Sequence, residues 1–438
     1  MHLQFKRKIY DEISEWKRNQ KHVLLVEGAR QIGKSEIIER FGRENYKNLI
    51  ILNFIKHPEL QEIFEFNLDP IRILDDIGLL FQVKIDRDTL LFFDEIQECG
   101  KAVASLKFLD IEKKCDIIAS GSLMGIRKKE SISWPVGHIE HLKMYPMDFE
   151  EFLWANGIDT SDLKKSLTNS FNSKSQISSV VNDKYLEIFK KYMTIGGMPE
   201  VVAIFLEEND YGKTFKKQND IVEDYYQDIA KYAPASMKDK IRDCFASIPH
   251  QLMKENSKFQ YKFVNKNAKS REYIASLNWL KDSNIIHYSY KIKKIDSPLS
   301  SYIDNGFFKV YLNDIGLLCS MIKGHAQMKL INDLLGENKG GIYENAIANI
   351  IVFNNKELFY YKPNENSSED VDFVFESENN IKLIEVKSSN SKALTLQKSV
   401  TEKSIAIKTN NGNIGFINNI FTMPWYIFSL FFQEINNL

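Results

Sequence analysis

The stretch GARQIGKS (residues 28–35) decides the fold, because it fits the pattern G-x-x-x-x-G-K-S and stands between an apolar run, HVLLVE, and an amphipathic one, SEIIERF. Gly28 and Gly33 would let the backbone bend so that its N–H groups point at an anion. Lys34 would reach the β and γ phosphates of a nucleotide, and the Ser35 hydroxyl would bind Mg²⁺. The positive amino end of the following helix would face the same anion. The residues predicted to bind a nucleoside triphosphate are Gly28, Ala29, Arg30, Gln31, Ile32, Gly33, Lys34 and Ser35.

A second element falls where such a site needs it. The apolar run TLLFFD ends in Asp94 and is followed by Glu95. Asp94 would hold the Mg²⁺, and Glu95 would orient and polarise the attacking water. An acidic pair at a strand end is usually only solvated, but together with the loop it predicts triphosphate binding. A further run ends in Ser120, which with Ser122 would sense the γ-phosphate, although small hydroxyl residues are also common in loops. The predicted catalytic residues here are Lys34, Glu95 and Ser120.

Four short runs of almost continuous apolar residues predict strands that are buried on both faces. They lie at residues 22–27, 48–54, 89–94 and 115–120, and the segments between them are long enough for crossover helices. Continuous apolarity of this kind is typical of parallel strands. The first third of the chain is therefore predicted to be an α/β layer fold.

Composition narrows the class of protein. The 438 residues exceed what one hydrophobic core usually organises, so two or three domains are expected. Lys plus Arg is 58 and Asp plus Glu is 59, so any contact with nucleic acid would need a local basic patch. The four cysteines lack metal-site spacing, which favours reduced thiols in a cytoplasmic protein over disulfides or a zinc site. No secretion signal is visible, and the apolar run at 421–432 is shorter than the roughly 20 residues that span a membrane. That run is expected to close a core, and no membrane partner is expected.

The pattern of the chain changes along its length. Residues 156–183 are rich in Ser, Asn and Lys and predict a loop or insertion. Helical periodicity then prevails, and a helix at 270–282 runs into an alternating strand, as in a winged-helix-like module. After a glycine-rich stretch, one helix and four strands follow, which places a boundary near Leu335. The predicted domains are residues 1–205, 206–334 and 335–438.

Three charged residues on two C-terminal strands suggest a second site. Side chains alternate across a strand, so Asp372 in DVDFVFE faces away from its apolar neighbours, and Glu385 and Lys387 in IKLIEVK share a face. If the strands are neighbours, the three side chains converge as in the D…E-x-K arrangement of nucleases. There, two carboxylates bind Mg²⁺ and the lysine stabilises charge or activates water. The alternative is a solvated surface pair of Glu385 and Lys387.

A fourth acidic residue, Glu344, heads the apolar stripe of the preceding helix. A carboxylate aimed at the interior is costly unless a charged or hydrogen-bonding group receives it. We therefore expect Glu344, Asp372 and Glu385 to be ligands of one metal, although a helix-terminal charge would also explain Glu344. The lysines that would meet a phosphate backbone are Lys392, Lys398 and Lys403.

The chain resembles the prokaryotic AAA-type ATPases that carry a C-terminal domain of unknown function. The motifs that carry the resemblance are, in order, LLVEGARQIGKS, LLFFDEIQ, ASGSL, YPMDFEEFL, YMTIGGMPEVV, YYQDIAKYA, SIPHQL, VYLNDIGLL, GGIYENAIAN, DVDFVFE and IEVKSS. The resemblance implies a P-loop module that uses ATP and Mg²⁺, a helical and winged-helix-like middle, and a C-terminal domain of the restriction-endonuclease fold. Because AAA-type modules often form rings, it also allows a homo-oligomer. Where the family commonly has Gly-Arg or Gly-Lys, this chain has Gly137-His138, and His138 would be a weaker, pH-dependent substitute.

Two functions compete at this point. The first is an ATPase coupled to a Mg²⁺-dependent nuclease that acts on DNA. The second is a nucleotide-controlled switch or scaffold whose nuclease-like domain only binds nucleic acid or a protein. A third, weaker option is transcriptional regulation through the winged-helix-like stretch, whose helix carries little positive charge.

Overall fold

The computed structural model describes residues 4–19, 22–121, 134–254, 258–336, 339–363, 370–378, 380–389 and 394–437. The chain forms two compact units. One comprises Lys6–Tyr145 with Asp282–Asn284, and the other comprises Met1–Phe5, Pro146–Lys281 and Ile285–Leu438. Among the helices in the described ranges, none is long and apolar enough to cross a bilayer.

The first unit contains a five-stranded parallel sheet in the order β2-β3-β4-β1-β5. Its strands are β1 (Val23–Glu27), β2 (Asn48–Asn53), β3 (Thr89–Asp94), β4 (Asp116–Gly121) and β5 (Ile139–Lys143). The helices beside it are Ile9–Asn19, Lys34–Asn45, Pro70–Phe81 and Gly100–Glu112. The four predicted strands and the α/β fold are thus confirmed. β5 was not predicted because it is a half-exposed edge strand, without the continuous apolar run of the inner strands.

The strand order decides which residues meet. β4 lies between β1 and β3, and carboxyl ends of parallel strands meet at one edge of a sheet. The residues that follow β1, β3 and β4 therefore share that edge, although long segments of chain separate them.

A helical region follows in the second unit. Its helices are Phe149–Ala155, Ser161–Asn172, Ser179–Ile195, Pro199–Glu208, Tyr211–Tyr232, Lys238–Leu252, Ser270–Asp282, Ile315–Met321 and Ala326–Ile331. The prediction of a loop at 156–183 was wrong, because most of it is helical. Leu163, Leu167 and Phe171 are buried on one side of their helix, and this i, i+4, i+8 stripe stabilises it despite the polar residues between.

The same unit holds a mixed eight-stranded sheet in the order β12-β13-β11-β10-β9-β8-β6-β7. Its strands are β6 (Ile286–Ile292), β7 (Ile303–Leu312), β8 (Leu358–Tyr361), β9 (Val371–Glu376), β10 (Ile381–Val386), β11 (Ser404–Asn410), β12 (Gly415–Ile417) and β13 (Ile420–Pro424). Helices Gly340–Phe353, Leu394–Ser399, Trp425–Leu430 and Phe432–Asn437 accompany it. The four strands predicted after Leu335 are all present.

The β6–β7 hairpin is part of this sheet. β6 pairs with β7 on one side and, in parallel, with β8 on the other. The helix-then-strand pattern was therefore read correctly, but the hairpin extends the C-terminal sheet instead of forming a free wing. Strands β6 and β7 precede Leu335 and the other six strands follow it, yet all eight form one sheet. The boundary predicted near Leu335 therefore falls within the segment of the chain that builds this sheet.

The apolar run at 421–432 closes a core, as predicted. Trp425, Tyr426 and Phe428 are buried, and the Trp425 ring stacks on Tyr343 of the helix Gly340–Phe353 with the ring centroids 4.3 Å apart.

Gly341 is required for a close approach within this unit. A Cβ at Gly341 would lie 1.9 Å from the carbonyl oxygen of Leu252, and a backbone atom cannot move aside easily. Gly341→Ala is expected to lower the free energy of unfolding by about 2–3 kcal/mol. At the adjacent Gly340 a Cβ would meet nothing within 4 Å, so Gly340→Ala should be neutral or slightly stabilising. Urea unfolding followed by circular dichroism measures both changes, and equal midpoints for the two variants would contradict the close approach.

Candidate functional site

The loop between β1 and the helix Lys34–Asn45 has the backbone shape that its glycines predict. Gly33 has φ 89° and Gln31 has φ 63°, so the chain turns through the left-handed region twice. A Cβ at Gly28 would lie 2.3 Å from the carbonyl oxygen of Met144. Gly28 therefore permits the loop to lie directly against the backbone that follows β5.

Arg7 holds this loop in place. Its guanidinium is buried and donates to the carbonyl oxygen of Ile32 at 3.0 Å and to that of Tyr145 at 2.7 Å. Arg7 was not among the predicted site residues, because it stands between Lys6 and Lys8 in a run typical of a solvated basic surface. Its role is to position the loop.

Lys34 lies inside the loop. Its ammonium donates to the carbonyl oxygens of Gly28 at 3.1 Å and Ala29 at 2.7 Å. Burial lowers the pKa of Lys34 to about 8, and attraction to Glu95 and Asp94 offsets only part of that effect. The ammonium is thus held by carbonyl oxygens, which the oxygens of a phosphate can replace.

Asp94 is the centre of the predicted Mg²⁺ site. Its Oδ1 accepts hydrogen bonds from Ser35 Oγ at 2.8 Å and Ser120 Oγ at 2.6 Å, and its Oδ2 accepts one from Asn53 Nδ2 at 2.7 Å. The structure therefore brings together the three predicted residues Ser35, Asp94 and Ser120. Asn53, at the end of β2, was missed, although its place at the carboxyl end of a predicted strand was the available signal.

Glu95 adopts an uncommon backbone conformation directly after β3. Its φ is 53°, which non-glycine residues adopt rarely and mostly at turns and functional sites. Its N–H donates to Ser120 Oγ at 3.4 Å, and Gln97 Nε2 donates to its carboxylate. The structure thus places Glu95 beside Asp94 and Ser120. Ser122 lies outside the described residues.

His138 is placed away from the nucleotide loop of its own chain. β5 runs parallel to β1 with Ile139 opposite Val23, so His138 lies at the amino ends of the strands. The loop follows the carboxyl end of β1, and that strand of 5 residues spans roughly 16 Å. Nδ1 of His138 lies 2.8 Å from Oδ2 of Asp110. His138 therefore cannot replace a basic residue at this chain's own phosphate loop.

The two C-terminal strands are neighbours in the sheet, which is the condition for the predicted convergence of Asp372, Glu385 and Lys387. β9 and β10 are antiparallel with Phe373 opposite Ile384, so the next pair in register is Asp372 and Glu385. Oδ2 of Asp372 accepts a hydrogen bond from the Val386 N–H at 2.7 Å. Lys387 Nζ lies 2.7 Å from Oε1 of Glu385.

Neighbouring elements fix this pair. The Lys387 carbonyl accepts a hydrogen bond from Trp425 Nε1 at 3.2 Å, and Oε2 of Glu385 accepts one from the Leu396 N–H at 3.3 Å. Glu385 is buried and Lys387 is one-third exposed. Glu385 and Lys387 therefore form a partly buried ion pair that hydrogen bonds from neighbouring elements fix in place. They are not the solvated surface pair of the alternative interpretation.

Lys309 of β7 is the residue that sequence reasoning missed at this site. Its ammonium lies 3.4 Å from Glu344, 3.8 Å from Asp370 and 4.0 Å from Asp372. Tyr311, on the same face of β7, donates to Glu344 at 3.0 Å. Both residues precede the predicted boundary near Leu335, so they lie outside the segment in which this site was predicted. Their shared face in an alternating strand was the only signal.

The electrostatics of this acidic cluster follow from burial. Burial and the nearby charge of Glu344 raise the pKa of Asp372 well above its usual range, although Lys309 opposes the shift. Burial lowers the pKa of Lys309, but its acidic neighbours, Glu344 first, outweigh that effect and raise it. Asp372 thus lies where a further cation would stabilise its ionised form.

Glu344, Asp372 and Glu385 were predicted to share a metal. Among the described residues, the ligand atoms of these three do not all lie within 4.8 Å of one another. A shared metal would therefore draw the carboxylates closer together. Of the predicted phosphate-contacting lysines, Lys398 lies on the helix Leu394–Ser399, and Lys392 lies outside the described residues.

Comparison with known families agrees with the geometry of the loop. Residues 20–153 match a family described as an AAA domain. The N-terminal part of this chain is an AAA-type ATPase domain. Two domains of unknown function follow it, DUF8612 at residues 186–328 and DUF4143 at residues 339–426.

Individual relatives are distant. An uncharacterised protein of Haemophilus influenzae is 26% identical over 191 residues, and the match covers 41% of this chain and 40% of that protein. Among solved structures, a Walker-type ATPase of Pyrococcus abyssi is 14% identical with TM-score 0.43, covering 73% of this chain and 96% of that one. The Orc1 protein of Aeropyrum pernix in complex with DNA is 10% identical with TM-score 0.31, covering 76% and 96%.

The position of Lys34 in the AAA domain predicts how nucleotide affinity depends on pH. Phosphates stabilise the ammonium, so the pKa of Lys34 is higher in the complex than its value of about 8 in the free protein. Affinity for Mg²⁺-ATP is therefore full below pH 8 and falls above it, by at most about tenfold for each pH unit.

Titrations with a fluorescent ATP analogue between pH 7 and pH 9.5 measure this slope. Lys34→Arg keeps its charge throughout, so its affinity should be flat with pH even if it is weaker overall. Equal slopes in the two proteins would show that Lys34 is not the titrating group.

Proposed function

We propose that the chain is a Mg²⁺-dependent ATP hydrolase whose AAA domain controls a nuclease-like site that acts on or binds DNA. The observation that carries the first half is that the hydroxyl groups of Ser35 and Ser120 both donate to the buried carboxylate of Asp94. In this proposal Ser35 and Asp94 hold Mg²⁺, Lys34 binds the β and γ phosphates, and Ser120 senses the γ-phosphate. The loop from Gly28 to Ser35 supplies the remaining contacts.

Glu95 is proposed to position the attacking water. It follows Asp94 directly, and its left-handed backbone turns the chain sharply at that point. Gln97 donates to its carboxylate, which would fix the orientation of the side chain. A water held by Glu95 would be deprotonated as it attacks the γ-phosphate.

The acidic cluster supports the second half of the proposal through its charge. Its carboxylates are Glu344, Asp370, Asp372 and Glu385, and its ammonium groups are those of Lys309 and Lys387. Lys408 of β11, opposite Glu385 in register, adds a third ammonium group nearby. Four carboxylates and three ammonium groups leave one negative charge when all are ionised. A cation would compensate that charge, and Mg²⁺ prefers carboxylate oxygens.

The proposed chemistry is hydrolysis of a phosphodiester. Glu344, Asp372 and Glu385 would hold the metal, and Lys387 would stabilise the charge that develops on the phosphate or activate the water. Lys398 and Lys403 follow in sequence and would contact the DNA backbone. Control by the AAA domain is proposed because both constellations lie on one chain.

A second candidate function is favoured by Lys309. Its ammonium already contacts Glu344, Asp370 and Asp372, and so supplies in part the positive charge that a metal would bring. This favours a cluster that stays free of metal, in a nucleotide-controlled switch whose C-terminal sheet only binds nucleic acid or a protein. The two candidates differ in one respect, because only the first requires cleavage that depends on a metal.

The hydrolytic role of Glu95 is tested by Glu95→Gln. The substitution keeps the size of the side chain but removes the base, so ATP affinity should change little while kcat falls by about 10²-fold or more. Phosphate release and analogue binding measure the two quantities. Glu112→Gln, at an exposed position of the same domain, is the matched control and should match the unaltered protein. An unchanged kcat in Glu95→Gln would remove Glu95 from the mechanism.

The nuclease-like site is tested by Asp372→Asn and Lys387→Met. The unaltered protein should cut plasmid or single-stranded DNA with Mg²⁺ or Mn²⁺, and each variant should lose at least about 10²-fold in rate. Lys294→Met is the matched control, because Lys294 forms a pair at 2.7 Å with Asp296 in a more exposed setting.

The results separate the two candidates. Cleavage that survives in Asp372→Asn and Lys387→Met would contradict the assigned site. DNA binding without cleavage by the unaltered protein, even with Mn²⁺, would favour the switch.

A further inference from the structure

Two histidines and a carboxylate from three separate segments meet at the amino ends of β1 and β5. His22 precedes β1, His138 precedes β5, and Asp110 lies near the end of the helix Gly100–Glu112. Nδ1 of His22 lies 3.0 Å, and Nδ1 of His138 lies 2.8 Å, from the same oxygen, Oδ2 of Asp110. One ligand atom from each residue lies within 4.8 Å of the other two. The proposed ATP site does not use this cluster, because the phosphate loop follows the opposite ends of the strands.

The spacing of the three residues suits a small divalent metal. Zn²⁺ bonds to imidazole nitrogen and carboxylate oxygen are about 2.0–2.1 Å, so neighbouring ligands of a tetrahedral site lie roughly 3.3 Å apart. The two separations from Asp110, 3.0 and 2.8 Å, need to lengthen by only a fraction of an ångström. Imidazole donors favour zinc and other first-row transition metals over Mg²⁺.

Burial and space also fit a metal. The Asp110 side chain is 6% exposed, whereas His22 is 42% exposed, so a buried negative charge lies beneath an accessible imidazole. His22 and Asp110 also line a cavity of about 210 Å³, which has ample room for a water as fourth ligand. Cys115 lines the same cavity, but among the described residues it does not belong to the group whose ligand atoms all lie within 4.8 Å of one another.

We propose that His22, Asp110 and His138 bind one first-row transition-metal dication, with Zn²⁺ as the reference ion. The metal would tie the segments before β1 and before β5 to the helix Gly100–Glu112. It would therefore secure the edge strand β5, whose outer side has no neighbouring strand among the residues that the structure describes.

The test is a titration of the full-length protein after treatment with a chelator. Zn²⁺ is added against a chromophoric chelator, with Mg²⁺ in excess so that acidic sites elsewhere are occupied. The unaltered protein should bind one equivalent of Zn²⁺ tightly. His138→Asn and His22→Asn keep a donor towards Asp110 but remove the imidazole. Each substitution should lower the affinity for that equivalent of Zn²⁺ by at least about 10–100-fold, which is the loss caused even by changes to residues that only contact the ligands.

His141→Asn is the matched control. His141 lies on β5 and pairs with Glu27 at 3.2 Å, so it is also a histidine beside a buried carboxylate, but it is not part of the cluster. This variant should bind one equivalent of Zn²⁺ as tightly as the unaltered protein does. With Co²⁺ in place of Zn²⁺, the visible absorption of a low-symmetry nitrogen and oxygen site should appear in the unaltered protein and in His141→Asn, and be lost in the two cluster variants.

Two results would overturn the proposal. One is that the unaltered protein binds no tight equivalent of Zn²⁺, and the other is that both cluster variants bind it as the unaltered protein does. Either would leave a hydrogen-bonded triad without a metal. If His138→Asn fails to fold by circular dichroism, His22→Asn decides, because His22 is the more exposed of the two.

Discussion

A buried carboxylate must accept hydrogen bonds or pair with cations, because an isolated buried charge is very costly. This constraint organises each of the candidate sites. Asp94 is received by neutral groups, two hydroxyls and an amide. Asp372 is received by a backbone N–H and by the ammonium of Lys309. Asp110 is received by two imidazoles.

The kind of partner decides the chemistry that each carboxylate can support. Neutral donors orient Asp94 but leave its negative charge available, which is what a carboxylate that binds Mg²⁺ needs. Lys309 compensates part of the charge around Asp372, so the acidic cluster is balanced between an internal ammonium and an added metal. At Asp110, a metal would replace the protons that the Nδ1 atoms share with the carboxylate, so that the same groups that hold the carboxylate can also bind a metal.

The two lysines at these sites illustrate one physical principle in two ways. Lys34 is buried among carbonyl oxygens, and its pKa is lowered because those dipoles replace water incompletely. Lys309 is buried as well, but full negative charges surround it, so its pKa is raised. The first arrangement favours exchange of carbonyl oxygens for an incoming phosphate, whereas the second holds the ammonium firmly among its neighbours.

By itself, the sequence determined the phosphate loop, Asp94, the inner strands of the first sheet and the converging faces of β9 and β10. Each depends on local chemistry, such as a glycine at a left-handed turn or alternation along one strand. Only the tertiary structure decided the edge strand β5 and the placement of Arg7, Asn53, Lys309 and the cluster around Asp110. The physical reason is that these contacts join residues far apart in sequence, and the order of strands in a sheet, which no local pattern encodes, decides which of them meet.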